Sequence, residues 1–206
     1  MSVLRGIHQR LGSGRAAGLL VFSIVFGLAM IFGCVPYSDH PLSAPGQESL
    51  DNRLFGTWYS KDEKESVFIH FGFNAKSGLL NVVMVDMRSD GELEYSELNG
   101  HNTGIDGASY LSLKWAKPEE EDADGYLFVK YVVDEKGLGI CIVELDVVEK
   151  GIVSGEIKGE ITKRRLSSSV RIKDTSENLR AFVKKHDREL FPEMQYLSKL
   201  QAQRTR

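Results

Sequence analysis

Between residues 54 and 174 the chain alternates apolar and polar positions in short runs rich in Val, Ile, Phe and Tyr, each run broken by turn residues. Leu54 to Ser60, Ser66 to Phe73, Leu79 to Met87 and Glu92 to Leu98 read as the first four strands. Tyr110 to Trp115, Tyr126 to Asp134, Leu138 to Leu145, Glu156 to Lys163 and Ser169 to Lys173 follow. Ser77-Gly78, Asp90-Gly91, Asp106-Gly107, Asp124-Gly125 and Lys136-Gly137 supply the residues that tolerate positive φ between them. Gaps of hairpin length predict an antiparallel meander, and only Asp146 to Ser154 could hold a short helix between strands.

Both faces of these strands are partly apolar. Val67, Ile69, Phe71 and Phe73 share one side, with Phe68, His70 and Gly72 on the other. Leu127, Val129, Tyr131 and Val133 likewise oppose Tyr126, Phe128, Lys130 and Val132. A meander of this kind covers its inner face by closing into a barrel or folding into a sandwich. The period then changes. Asp174 or Thr175 reads as an N-cap, with Glu177 placed to complete a capping box. Leu179, Phe182, Val183, His186 and Leu190 form one helical face that should dock on the sheet, and Pro192 marks the stop. The expectation is a mainly β fold with a C-terminal α-helix from about residue 176, in one domain spanning 51–206, and a frayed tail from Gln201.

The first quarter of the chain is different in kind. Ala16 to Phe32 is an apolar run preceded by Arg5, Arg10 and Arg15 with no acidic residue, the pattern of an export signal. Ile31-Phe32-Gly33-Cys34 resembles the lipobox of bacterial lipoproteins, although Phe32 stands where that family usually carries a small residue. The resemblance implies a signal peptide over 1–33, cleavage before Cys34, and acylation of Cys34 with chains such as palmitate. Several acyl chains, at about 0.8 kcal/mol per buried methylene, anchor a protein without a spanning helix. Val35 follows the cysteine where an Asp often retains Gram-negative lipoproteins in the inner membrane, so the resemblance favours the outer membrane, facing the periplasm. Residues 34–50, with Pro36, Pro41, Pro45 and Gly46 and no apolar period, read as a flexible spacer behind that lipid.

Charge and composition narrow the partners. Lys and Arg number 26 against 29 Asp and Glu; removal of three arginines with the signal leaves 23 against 29, a mature net charge of −6. That balance excludes a basic nucleic-acid footprint, and makes lipid rather than charge the link to a membrane. Two cysteines are too few for a disulfide scaffold. Cys141, in an apolar run without a basic neighbour, reads as a buried thiol.

Leu54-Phe55-Gly56-Thr57-Trp58-Tyr59 resembles the first-strand Gly-x-Trp signature of lipocalins and related barrels. The resemblance implies that Trp58 closes a barrel floor, that Arg171, near the last strand, packs over its ring, and that a helix follows that strand. The lipocalin Thr-Asp-Tyr triplet is missing. A second resemblance, carried by Tyr37-Ser38-Asp39-His40-Pro41-Leu42, Gly56-Thr57-Trp58-Tyr59 with Asp62-Glu63, and His186-Asp187 with Glu189-Leu190-Phe191-Pro192, is to a group of bacterial lipoproteins with no established activity.

Candidate chemistry is sparse. His70, His101 and His186, with Asp62, Glu63, Asp86 and Glu144, are residue types of acid-base or metal chemistry, but none stands at a diagnostic spacing. Glu119 to Asp124 concentrates carboxylates without a calcium-loop register, and Lys163-Arg164-Arg165 reads as a turn. These features predict no catalytic residue, metal or cofactor. The expected function is that of a non-enzymatic, lipid-anchored envelope protein that binds an apolar ligand or an envelope partner. The alternative is a hydrolase or metal-dependent enzyme built from those His and carboxylate groups.

Overall fold

The computed structural model describes residues 35–61, 66–87, 91–118, 123–163 and 168–201. A two-residue strand β1 (Tyr37–Ser38) and a 3-10 turn (Asn52–Leu54) lead into β2 (Gly56–Lys61), β3 (Ser66–Asn74), β4 (Leu79–Met87) and β5 (Leu93–Ile105). Then come β6 (Ala108–Trp115), β7 (Leu127–Asp134), β8 (Gly137–Ile142), helix α1 (Leu145–Val153), β9 (Gly159–Lys163), β10 (Ser168–Ile172), helix α2 (Ser176–Leu190) and β11 (Gln195–Lys199). Strands β2 to β8 pair consecutively and antiparallel, and β11 fits between β8 and β2 to close an eight-stranded barrel. The meander therefore resolves to a closed, lipocalin-like barrel, not a sandwich.

The alternation sets which side chains point inward. Trp58, Ile69 and Met84 lie in one cross-strand row, and Val82 pairs with Leu98 in the next strands. On the far wall Leu111 and Val129 face each other, as do Tyr131 and Ile140. Leu80, Leu98, Leu127 and Leu138 have no accessible surface, and Val82 and Leu111 only 1%. A water-sized void beside them would count as accessible surface, so the barrel is filled by its own side chains, as eight strands permit.

Outside the barrel, β1, β10 and β9 form a small sheet, with β1 parallel to β10, and α1 packs on β9 and β10. Helix α2 is capped by Thr175, whose hydroxyl accepts from the Asn178 N–H, and it buries Leu179, Phe182, Val183 and Leu190.

Three expectations are corrected. Residues 35–50 are not a loose spacer: Val35, Tyr37 and Leu42 are buried, and the Leu42 N–H donates to Ser112 Oγ at 3.1 Å. Individual apolar side chains and polar contacts hold this strap to the outer faces of β5 and β6, which no periodicity could announce. The strand carrying Arg171 is not the last of the barrel; β11 is, and it follows the C-terminal helix. Finally β5 runs on through Asn99-Gly100-His101-Asn102 to Ile105, because the strap covers the polar outer positions of its second half.

Candidate functional site

The barrel floor is built from the residues that carried the Gly-x-Trp motif. The 3-10 turn is capped by Asp51, whose carboxylate accepts the Arg53 N–H at 3.1 Å, and it places Leu54 under the barrel. Trp58 is 2% exposed and its indole N–H donates to Leu54 O at 2.7 Å, so the polar edge of a large buried ring is satisfied within the floor. The cation over the indole is Lys199, 4.9 Å from the ring centroid, brought there by the pairing of Lys199 with Trp58.

Arg171 is elsewhere. It sits on β10 and bonds Asp39 Oδ1 at 2.6 Å and Asp124 O at 2.7 Å, tying the small sheet to the strap and to the entry of β7. The expectation that Arg171 stacks on Trp58 fails because β10 leaves the barrel, and the last barrel strand supplies its own lysine.

Beside the floor, the segment from Glu48 to Arg53, which leads from the strap into the 3-10 turn, lines an open recess of about 630 Å³. Two inward residues, Asn102 on β5 and Tyr131 on β7, with β6 between their strands, line it. The Asn102 side-chain amide donates to Ser49 O at 3.0 Å, and the Tyr131 hydroxyl donates to Asp51 Oδ2 at 3.1 Å. Burial, with the adjacent Asp51 charge, pushes the Tyr131 phenol well above its ordinary range. The Arg53 guanidinium hydrogen-bonded to Asp51 holds that carboxyl below its own.

On the outer wall, Tyr110 and Lys130 both bond Asp187, each at 2.5 Å, and dock α2 on β6 and β7. Burial raises the Asp187 carboxyl, but the bonds from Lys130 and Tyr110 outweigh it and leave the group lowered. His186, where α2 departs from helical angles (φ −108°, ψ 18°), lies 3.0 Å from both Glu189 and Glu156, and these bonds raise it.

The remaining candidates do not converge. His70 is exposed and bonds Thr57 at 2.9 Å; His101 is buried with Nε2 2.7 Å from Ser43 O, and burial lowers it. Glu144 stands exposed before α1, and Asp86 is on β4. Cys141 is a free buried thiol that burial raises. Among the described residues, no three His, Cys, Asp or Glu side chains are grouped to hold a metal ion. Cys34, Asp62, Glu63, Glu119 to Asp122, Arg164 and Arg165 lie outside the described residues, while Lys163 ends β9 and is exposed. Asp124 is exposed and pairs with Lys114 at 2.8 Å.

The two halves of the barrel's outer surface differ. The strap and α2 cover β5 to β7, whereas Tyr59, Phe68, Val85 and Tyr95 form an outward row across β2 to β5. Tyr59 and Phe68 stack with centroids 6.2 Å apart, and Tyr95 is 79% exposed. Leu93 and Met87, paired beside this row, are exposed as well. Sequence reasoning marked β3 as two-sided, with Phe68 on its second face, but could not say which half of the barrel would carry the exposed apolar residues.

No family model, curated protein or solved structure matches the chain.

Proposed function

We propose that the chain is a lipid-anchored cell-envelope protein, held in the membrane through acylated Cys34, that acts without catalysis by docking an envelope protein on the outer face of β2 to β5. The observation that carries this reading is the pairing of a filled barrel with an outward apolar row in which Tyr59, Phe68 and Val85 are half-buried and Tyr95, with Leu93 and Met87 beside it, is exposed. An apolar ligand would need interior room, and around Leu80, Leu98, Leu127 and Leu138 there is none, since these side chains have no accessible surface. An enzyme would need the His groups and carboxylates in one cleft, whereas His70 bonds Thr57, His101 bonds the Ser43 carbonyl and only His186 meets carboxylates, Glu156 and Glu189. Exposed, contiguous aromatic and aliphatic side chains are what interaction surfaces are made of. The partner should offer an apolar patch with a basic rim, to suit an acidic mature chain.

A photo-crosslinking residue placed at Tyr95 or Leu93 in the native host tests this. The same discrete adduct should form from both positions, be absent from the exposed Val153 on α1, and disappear on Val85→Glu. Equal labelling from all three positions would refute the docking face. Stoichiometric binding of an apolar fluorophore to the purified protein, weakened by enlarging interior residues, would restore the ligand-carrying alternative.

A further inference from the structure

The four residues that follow Cys34 are already inside the fold. Val35, Pro36, Tyr37 and Ser38 are all buried, Val35 at 2% and Ser38 with no accessible surface. They are gripped from two sides. Ser38 exchanges both backbone hydrogen bonds with Tyr126 at the entry of β7, each at 2.8 Å, and the Asp39 N–H donates to Ile172 O on β10 at 2.9 Å. The Tyr37 hydroxyl accepts from the Trp115 indole N–H at 3.0 Å. A flexible coil over residues 35–50 would let the barrel roam about 20–24 Å from its anchor. The chain as folded has no such slack.

Given the acylated Cys34 proposed above, on which the inference rests, the lipid begins one residue from Val35. Adjacent Cα atoms are about 3.8 Å apart across a trans peptide, so the acyl chains enter the bilayer within a few bonds of a side chain packed into the body. We infer that the barrel is seated directly on the bilayer surface, on the side that carries β1 and the β9–β10 hairpin, with its β2–β5 face turned away from the lipid. The register names the contact. β1 runs parallel to β10 with Tyr37 beside Arg171, which sets Val35 level with Ser169, next to the pair formed by Ser168 and Lys163. Lys163 is exposed at that end of the hairpin, where its long stem can bring an ammonium to lipid phosphates. The far side follows from the strand order. Ser38 lies against β7, and β3 is the fourth strand from β7 in either direction round the barrel. The row of Tyr59, Phe68, Val85 and Tyr95 therefore lies across the barrel from the anchor, open to a protein and out of reach of the lipid.

Purified acylated protein is placed in vesicles of phosphatidylethanolamine and phosphatidylglycerol doped with a nitroxide-headgroup lipid, with a fluorophore attached through Lys163→Cys or Tyr95→Cys. The other thiols do not compete, since Cys34 is blocked by its lipid and Cys141 is buried. Strong quenching is expected at position 163 and none at position 95. A long Gly-Ser insertion between Cys34 and Val35 should erase the difference while the protein stays on the vesicles. Mass spectrometry of the same sample separates the two readings: an unmodified Cys34 removes the anchor and the seating together. An acylated protein with the same signal at both positions leaves the anchor standing and overturns the seating. Stronger quenching at position 95 overturns it too, because the apolar row would then lie on the lipid, and so does a difference untouched by the insertion.

Discussion

Gly151 sits in the last turn of α1, and within a helix exchange of glycine for alanine ordinarily stabilises by up to about 1 kcal/mol. Here the sign should reverse. A Cβ at position 151 would fall 2.6 and 2.7 Å from two ring carbons of Phe182 on α2, and 3.3 Å from Ile157. The Phe182 ring cannot swing away cheaply: it is 3% exposed and packs against the His186 ring at 4.8 Å. Overpacking of this kind costs about 1–3 kcal/mol, and contacts so short on a rigid ring belong in the upper part of that range. Subtracting the propensity gain leaves a net loss of about 1–2 kcal/mol. For a chain of this size that lowers the thermal midpoint by about 2–8 °C. Urea unfolding of Gly151→Ala, Phe182→Leu and the double variant would measure the coupling. The double variant should be more stable than the sum of the single effects predicts, since the smaller side chain makes room for the new methyl. A thermal midpoint that rises in Gly151→Ala, or strict additivity of the pair, would refute the close α1–α2 packing on which the argument stands.

Trp58→Phe should destabilise the domain by about 2–4 kcal/mol, because it strands the Leu54 carbonyl and leaves a gap in the floor; Lys199→Met should cost about 1 kcal/mol or less, both read from denaturant midpoints. The bonds to Glu189 and Glu156 raise the His186 imidazole above its unfolded value of 6.5, so its contribution is full below that pH and is lost as pH rises through the folded value. His186→Gln should therefore flatten the alkaline side of the stability profile while leaving its slope below pH 6 little changed, apart from a uniform offset. Mass spectrometry of the native protein should find Cys34 as an acylated first residue, and Cys34→Ser should leave an uncleaved precursor or a released domain; an intact, unmodified 1–33 segment in membrane fractions would contradict the anchor.

The barrel wall was legible because each strand repeats its apolar period long enough to be read: Leu79–Met87 has the bounds its alternation predicts, and Thr175 caps α2 one residue before Ser176. The closing strand was not. Gln195–Lys199 buries only Leu197 deeply, and its place is fixed by backbone pairing with residues far away in the chain. The strap failed for a related reason, since Val35, Tyr37 and Leu42 act singly. At the floor, Gly-x-Trp announced a buried indole but not its cation, because Lys199 and Arg171 are equivalent to any reading that lacks the register. The recess was hidden altogether: Asn102 falls in the gap between the strands predicted to end at Leu98 and to begin at Tyr110, and only the structure shows its amide donating to Ser49 O.

The position of β11 also sets the order in which the molecule can be finished. Everything from β2 to α2 can fold as an open sheet with helices on its back, yet β2 and β8 keep bare edges until residues 195–199 arrive. A Cβ on Gly137 would lie 2.2 Å from the Leu197 carbonyl, so the clasp also depends on a bare backbone in β8. During synthesis the amino end emerges first, and the clasp comes last. Until it closes, the chain carries two templates for pairing with its neighbours, the condition in which β proteins cross-associate. A molecule clipped by a protease after Phe191 would keep its strap and both helices and still be, in effect, permanently unfinished.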